Sequence, residues 1–423
     1  MNQSVKRSLQ RLFWLSVVAS HAANAEDLTA AWRVALGLDP LLTAAERQVS
    51  AATAVLNAAK AGRLPGISAS AGITRFDDAP AFDFSGAGVP AVVPLFDGDS
   101  LRMADATVSL PLYTGGMIQR GIYAAGSMLD ARRHESAAMG QRVKLVVAEH
   151  YIDVLRARSA LEVADSNVRS LAAHVRDVED MWKSGTVARN DYLAAAVTLA
   201  DAEQRRLQAN NQLDLANAAY NRALGRQLDS SVDLDEDLPG IDAQLDLESL
   251  PPLTEMALAN RSELAGLTAA ADAFREQAAS VRAQTRPQLA VTGGYMALDN
   301  EFLNRDEYWM IGVGVKWNLF DGGRARGKAD ALSFRSQAVA LEFANQQSMI
   351  ELQVRRAWLR LNETRERKRL TERAVEQAEE NLRVVRDRYR NGEGTNTEVL
   401  DAEMLRSMSR NNYDNADYDA KLA

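Results

Sequence analysis

Residues 161–182 read LEVADSNVRSLAAHVRDVEDMW, and residues 374–389 read AVEQAEENLRVVRDRY. In the first stretch Leu161, Ala164, Val168, Leu171, Val175, Val178 and Trp182 advance by alternating steps of three and four. Such a seam marks a helix packed lengthwise against others. In the second, Val375, Ala378, Leu382, Val385 and Tyr389 advance the same way. Moved back by 207 residues, the second seam falls on the first: Val375 on Val168, Ala378 on Leu171, Leu382 on Val175, Val385 on Val178 and Tyr389 on Trp182. The chain is a duplication.

The register extends outward from the seams. The 207-residue offset also places Leu319-Phe320-Asp321-Gly322-Gly323 on Leu112-Tyr113-Thr114-Gly115-Gly116, Gly392 on Gly185, and Leu400-Asp401-Ala402 on Leu193-Ala194-Ala195. From Gly116 to Gly185 and from Gly323 to Gly392 the spacing is 69 residues, with no gap. Further upstream the offset becomes 222, which puts Arg286-Pro287 on Leu64-Pro65 and Ala257-Leu258 on Ala35-Leu36. The difference is a 15-residue insertion between Pro65 and Leu112, where Pro80, Pro90 and Pro94 accompany several Gly and Asp residues. That composition reads as a loop.

The ten prolines leave 112–238 and 288–423 free. Proline inside a helix costs ~3 kcal/mol, so these are the zones where long helices form. A helix of ~69 residues at ~1.5 Å per residue is about 100 Å long, more than an ordinary globular domain holds. Short alternating runs read as strands: Ile67–Ile73, Gln288–Tyr295, Thr107–Leu112 and, the strongest, Tyr308–Leu319 with Trp309, Ile311, Val313, Val315 and Trp317 on one face. Each half reads helix, strand, loop, strand, long helix, turn, helix. The expected boundaries are a first repeat over 26–225, with strands at about 66–75 and 106–113 and helices at about 116–184 and 188–225. A linker over 226–250 leads to a second repeat over 251–423, with strands at about 287–297 and 308–319 and helices at about 323–391 and 396–420.

Composition removes whole classes of function. The 423 residues contain no cysteine, which excludes disulfide scaffolds, thiolate metal sites, cysteine nucleophiles and a lipidated N-terminal cysteine. The four histidines, His21, His134, His150 and His174, show no metal-ligand spacing. A net charge of −8 argues against a nucleic-acid partner. At the N-terminus Lys6, Arg7 and Arg11 precede the apolar run Leu12–Ala19, and Ala23-Asn24-Ala25 forms a small-x-small cleavage site. Residues 1–25 therefore read as a secretory signal peptide; a membrane anchor would need ~20 apolar residues. Cleavage there takes the charge from −8 to −11. No later stretch is apolar enough for a transmembrane helix, so a membrane-crossing mature chain must use a β-barrel. No nucleophile-base set or phosphate loop stands out, and the Gly-Gly pairs lack the GxxxxGK[ST] and GxGxxG patterns. Neither enzyme activity nor a cofactor or metal is expected.

With these features in order, the chain resembles the TolC-like outer-membrane efflux proteins. The resemblance rests on two tandem halves behind a signal peptide. Each half has a helix ending before a proline (Arg63-Leu64-Pro65, Arg286-Pro287) and a strand ending Leu-aromatic-x-Gly-Gly (Leu112–Gly116, Leu319–Gly323). Each long helix ends in an aromatic residue, a glycine three residues on and a leucine eleven on (Trp182 to Leu193, Tyr389 to Leu400). The resemblance covers nearly all of residues 28–420. It implies a mainly α protein with a membrane β-barrel: a homotrimer in which four strands per protomer close a twelve-stranded barrel, with a helical tunnel in the periplasm. Its partners would be outer-membrane lipid, a periplasmic adaptor (membrane fusion) protein and an inner-membrane pump of RND, ABC or MFS type. The function implied is efflux or type I secretion from the cell outer membrane. The alternatives are a periplasmic coiled-coil adaptor or a structural interaction protein, including a dimeric stalk. An adaptor would need small β segments flanking one hairpin, and a receptor would need a transmembrane helix or a further domain. The paired strands ahead of each rod count against a stalk.

The resemblance places a gate at residues 182–201 and 389–408. Gly185, Thr186, Val187, Gly392 and Gly394 would face the adaptor. Glycine just past a helix end is equally a simple C-terminal cap. Glu398 and Asp401 share a helix face, with Asp191 at the repeat position of Glu398. Acids there favour the positive end of the helix dipole; the resemblance adds that Glu398 and Asp401 would face the lumen as a ring of six carboxylates in a trimer. It also implies a hydrogen bond from Tyr389 to Asp191 that holds the gate shut, with Gly394 where the family prototype has an arginine. Trp309, Trp317, Tyr295 and Tyr308 read as a membrane-interface belt or as ordinary strand packing.

Overall fold

The computed structural model describes residues 25–78, 80–83, 86, 92–94, 99–236, 249–299 and 304–423; the leader reading of 1–25 and the chain between 236 and 249 lie outside them apart from residue 25. The elements are α1 (Leu28–Leu38), α2 (Pro40–Ala61), β1 (Gly66–Arg75), β2 (Ala81–Asp83), β3 (Val92–Pro94), β4 (Ser100–Tyr113), α3 (Met117–Lys183), α4 (Arg189–Ala223), α5 (Leu250–Asn260), α6 (Ser262–Ala283), β5 (Gln288–Leu298), β6 (Glu307–Lys316), α7 (Arg324–Arg390) and α8 (Asn396–Leu422). The duplication holds in the opening and the long helices of each half. Helices α1 and α5 are both 11 residues long, and Leu28 and Leu250 stand 222 apart. Helices α3 and α7 are both 67 residues long, and Met117 and Arg324 stand 207 apart.

The chain forms two compact units. One gathers α2, the strands, α5, α6 and the parts of α3 and α7 that precede Gln141 and Arg355; the other gathers α1, α4, α8 and the remainder of α3 and α7.

In the first unit four antiparallel strands make a sheet of order β1-β4-β5-β6, and β2 and β3 form a small separate hairpin within the insertion. The pairing fixes the two faces. Trp309 pairs with Tyr295, Ile311 with Gly293, Val313 with Val291 and Val315 with Leu289. Tyr295 in turn pairs with Ala106, Gly293 with Val108 and Val291 with Leu110, and Val108 with Ile67. Directly paired residues lie on the same face, so this face is a continuous apolar surface, with Arg75, Arg102 and Glu307 only at the end beyond Trp309. It lies open: Trp309 is 83% exposed, Ile311 86%, Val313 70% and Val315 68%. The opposite face carries Ser68, Ser70, Thr107, Ser109 and Thr292 with Asp105, whose carboxylate accepts from Ser70 and from Thr107 (3.4 Å).

Two strand boundaries differ from the sequence reading. Strand β4 starts at Ser100, ahead of the expected 106, because Ser100–Asp105 pairs along β1 from Arg75 back to Ser70. Strand β6 ends at Lys316, so Trp317 lies outside it. Its partner β5 begins at Gln288, paired with Lys316, and the preceding Pro287 has no N–H for a further rung. The Trp317 indole donates to the Thr285 carbonyl at 3.0 Å. Tyr308 pairs with Met296 and therefore stands on the face opposite Trp309.

The junction from β4 into α3 needs glycine. At Gly115 φ is 64°, and an added Cβ would lie 2.6 Å from Cβ of Arg286, whose guanidinium donates to the Gly115 carbonyl at 3.0 Å. Gly115→Ala combines a left-handed backbone with this overlap. We expect a loss of more than ~1 kcal/mol, read as a lowered urea midpoint of the folded protein.

The helical unit closes around Tyr151 and Tyr220, both fully buried, with their rings edge to face at 6.0 Å. The Tyr151 hydroxyl donates to the carbonyls of Glu26 and Asp235, each at 2.7 Å, and Arg226 grips the Glu26 carboxylate through two bonds of 2.8 and 2.7 Å. Burial raises both phenols well above their ordinary range, so they stay protonated donors. Among the described residues, no helix is long and apolar enough to cross a membrane.

Candidate functional site: the two helical turns

Helices α3 and α7 each end in the same reversal. Gly185 (φ 80°) and Gly392 (φ 75°) take the left-handed conformation that lets the last carbonyls be capped from beyond the helix end. After α3, Gly185 N–H donates to Trp182 O at 2.9 Å and Thr186 N–H to Met181 O at 2.8 Å; after α7, Gly392 N–H donates to Tyr389 O at 3.0 Å and Glu393 N–H to Arg388 O at 2.9 Å.

The following helices begin differently. Thr395 caps α8: its hydroxyl accepts from Glu398 N–H at 3.3 Å, and the Glu398 carboxylate accepts from Thr395 N–H at 3.2 Å. Ala188 stands at the same repeat position before α4 and has no side chain to cap with. Glu398 therefore serves its own helix start, whereas Asp191, its repeat counterpart, does not. Thr395→Ala should weaken the first turn of α8 by ~1 kcal/mol, seen as faster hydrogen exchange of the Asn396–Val399 amides with little change elsewhere. Asp401 is exposed one turn further on.

Side chains from all four helices meet between the turns. Val178, Ala195, Tyr389 and Val399 are buried together, with Val175, Met181, Val187, Tyr192 and Val385 packed around them. Trp182 stacks on Tyr192 at 5.4 Å, with the planes 9° apart. Val187 thus belongs to this core, while Gly185, Thr186 and Gly392 are exposed and Gly394 is half-buried. A side chain at 394 would start 3.1 Å from the Glu398 carboxylate and 3.2 Å from Tyr389 N.

The expected hydrogen bond between Asp191 and Tyr389 is not made. The Tyr389 ring is 5% exposed and its hydroxyl has no hydrogen-bond partner among the described residues. The apolar cluster draws the ring inward, where it packs on the His174 imidazole at 5.5 Å. Burial raises the phenol, and the charges of Asp191 and Asp177 raise it further.

Two polar links that the sequence reading missed join the helices instead. In the first, His174 of α3 meets Asn396 of α8 (Nε2 to Oδ1, 2.8 Å), and the Asn396 amide donates to the Asp191 carbonyl of α4 at 3.0 Å. His174 is 5% and Asn396 4% exposed. In the second, Glu403 of α8 is 1% exposed and accepts from Ser170 of α3 at 2.8 Å and from Arg386 of α7; Arg406 stands 3.5 Å away. Arg390 and Asp177 add a more exposed pair at 3.1 Å. The signal was present in the sequence: Asn396, Val399, Glu403 and Arg406 advance by three, four and three, so polar residues occupy seam positions of α8.

Of the four aromatics assigned to a belt, Tyr295 and Trp309 pack together on the apolar face at 5.2 Å, Trp317 follows the strand on the same side-chain parity, and Tyr308 is on the other face. Among the described residues no group of three His, Cys, Asp or Glu side chains is placed to hold a metal ion.

A family model described as outer membrane efflux protein matches residues 32–226 and 253–423. The Vibrio cholerae outer membrane protein TolC is 25% identical over 96% of this chain and 90% of its own length. The alkaline protease secretion protein AprF of Pseudomonas aeruginosa is 23% identical over 70% of this chain, and the match spans only 62% of that relative. Among solved structures, the Vibrio cholerae outer membrane protein VceC superposes with a TM-score of 0.79 at 19% identity, covering 93% of both chains. The Campylobacter jejuni CmeC outer membrane channel superposes with a TM-score of 0.80 at 15% identity, covering 94% of this chain and 84% of its own. These likenesses carry the fold.

Proposed function

The chain belongs to the outer membrane efflux protein family, and from that premise we propose that it is the outer-membrane channel of an export system, gated where α3 and α7 turn into α4 and α8. The observation that carries the reading is the sheet, apolar on one face and hydroxyl-rich on the other, with β1 and β6 at its open edges. Unpaired strand edges cannot face lipid, and four strands are too few to close on themselves. Three copies joined β6 to β1 make twelve strands without an edge. The apolar face then meets lipid and the polar face lines water. Trp309 in β6 and Trp317, one residue past its end, are eight residues apart; at ~3.3 Å per residue that is about 26 Å along the chain, or roughly 20 Å of height at the ~40° tilt of barrel strands, within the ~25 Å apolar band such barrels carry.

In this reading the protein sits in the cell outer membrane, its helices reach through the periplasm, and Gly185, Thr186, Gly392 and Gly394 face a periplasmic adaptor coupled to an inner-membrane pump. Glu398 and Asp401 line the narrow end as rings of carboxylates that favour cations. The family's description supports efflux, and the likeness to the alkaline protease secretion protein AprF supports protein secretion. The test is the native assembly. Extracted from outer-membrane fractions, the protein should migrate as a trimer that collapses to a 46.3 kDa monomer on heating, less its leader. A monomer in the soluble periplasmic fraction refutes the reading.

A further inference from the structure

His174 is the buried titratable group that the reading above leaves without a task. It lies on α3 where all four helices meet, and its one bond runs to Asn396, whose amide in turn holds the backbone at the start of α4. We propose that His174 is a positioning residue for the closed gate: neutral, it braces Asn396 and through it the Asp191 turn, and acid removes the brace. The inference rests on the channel reading and adds its regulation.

The argument is one of charge and room. The neutral ring donates one proton to Asn396 Oδ1 and packs against the Tyr389 ring, the planes 60° apart. A second ring proton brings a charge into a site that is 5% exposed. The groups around it are already matched. On α8, Glu403 answers Arg386 of α7 and Arg406 of its own helix. On α3, Asp177 answers Arg390 of α7. From α7 itself come the uncharged Tyr389 ring and the Arg386 cation, and from α4 only the Asp191 carbonyl, already bonded by Asn396. The Glu403 Oε2 has no hydrogen-bond partner among the described residues, but the Arg386 and Arg406 guanidinium groups already outnumber this one carboxylate, so no net negative charge is left for an imidazolium. Burial, aided by Arg386, holds the imidazole below its ordinary value in spite of the Asn396 bond, Glu403 and Asp177.

The sign follows. A group whose folded value is depressed gives full support above the ordinary imidazole value of ~6.5 and loses it as pH falls through the depressed value. A closed gate that depends on neutral His174 therefore opens in acid, the condition a periplasm-facing site meets when the medium acidifies.

The experiment uses the full-length protein in planar bilayers, with the pH on the helical side lowered from about 7.5 to about 5.5. Open-state occupancy of the wild type should rise several-fold. His174→Gln, whose amide N–H still reaches Asn396 but does not titrate, should stay closed at both pH values. Asn396→Ala, with the brace removed, should be open at both. A wild type indifferent to pH, or a His174→Gln channel that keeps the wild-type rise, overturns the inference while leaving the channel reading intact. Absence of any conductance overturns the channel reading and the inference with it.

Discussion

Val313→Arg should abolish insertion while leaving the helical unit folded. Val313 sits mid-strand in β6, is 70% exposed, and pairs with Val291 on the apolar face. A soluble sheet would tolerate a cation there without loss. In a barrel the same position faces hydrocarbon, where Arg costs ~2–4 kcal/mol near the midplane. Three protomers multiply the penalty threefold. The expected result is loss of heat-modifiable trimer from the outer membrane, with the full-length chain still recovered in the periplasm. The control is Thr292→Arg on the opposite face, next to Gly312 across the β5–β6 ladder; a water-lined surface accepts it, and trimer should persist. Equal tolerance of both variants contradicts the facing assigned to the sheet.

Arg386→Met should loosen the gate region more than any neighbouring change. Glu403 is 1% exposed and depends on Arg386 and Ser170 for its partners, with Arg406 more distant. Removing one side of a buried ion pair strands the other charge, at a cost of ~3–5 kcal/mol. The methionine keeps most of the packing volume, so the loss is electrostatic. Hydrogen exchange should rise by two orders of magnitude or more across Val399–Ser409, since ~1.4 kcal/mol is a factor of ten. Arg386→Met with Glu403→Gln should recover much of that loss, because the buried carboxylate is gone and the Arg406 cation left behind is partly exposed. Arg390→Met, which breaks the exposed pair with Asp177, should cost less than ~1 kcal/mol.

These effects also mark how far the sequence could be read. The seams were legible because burial writes itself into spacing: Leu171 and Val178 of the first seam, and Val375, Ala378, Leu382 and Tyr389 of the second, sit inside the chain. The apolar alternation of β6 was legible from its two-residue period, although that face lies open in the single chain. What escaped depended on partners distant in sequence. Each half reads from its sequence as opening with one helix, but both openings are broken, at Asp39 ahead of Pro40 and at Arg261, where no proline announces it. The start of β4, SLRMAD, has no strong alternation and becomes strand only because β1 lies alongside. At the turns, the resemblance paired Asp191 with Tyr389 but could not orient the phenol, and its apolar neighbours took it inward. The polar seam positions Asn396 and Glu403 carried the signal for the links that form instead.

The central claim is that three copies close one barrel through β1 and β6. The chain has no cysteine, so introduced pairs report cleanly. Cysteine pairs that scan one position on β1 against successive positions on β6, oxidised in intact outer membranes, should at one register give a covalent trimer on a denaturing gel. Cross-links that stop at a dimer, or arise only within single chains, contradict it.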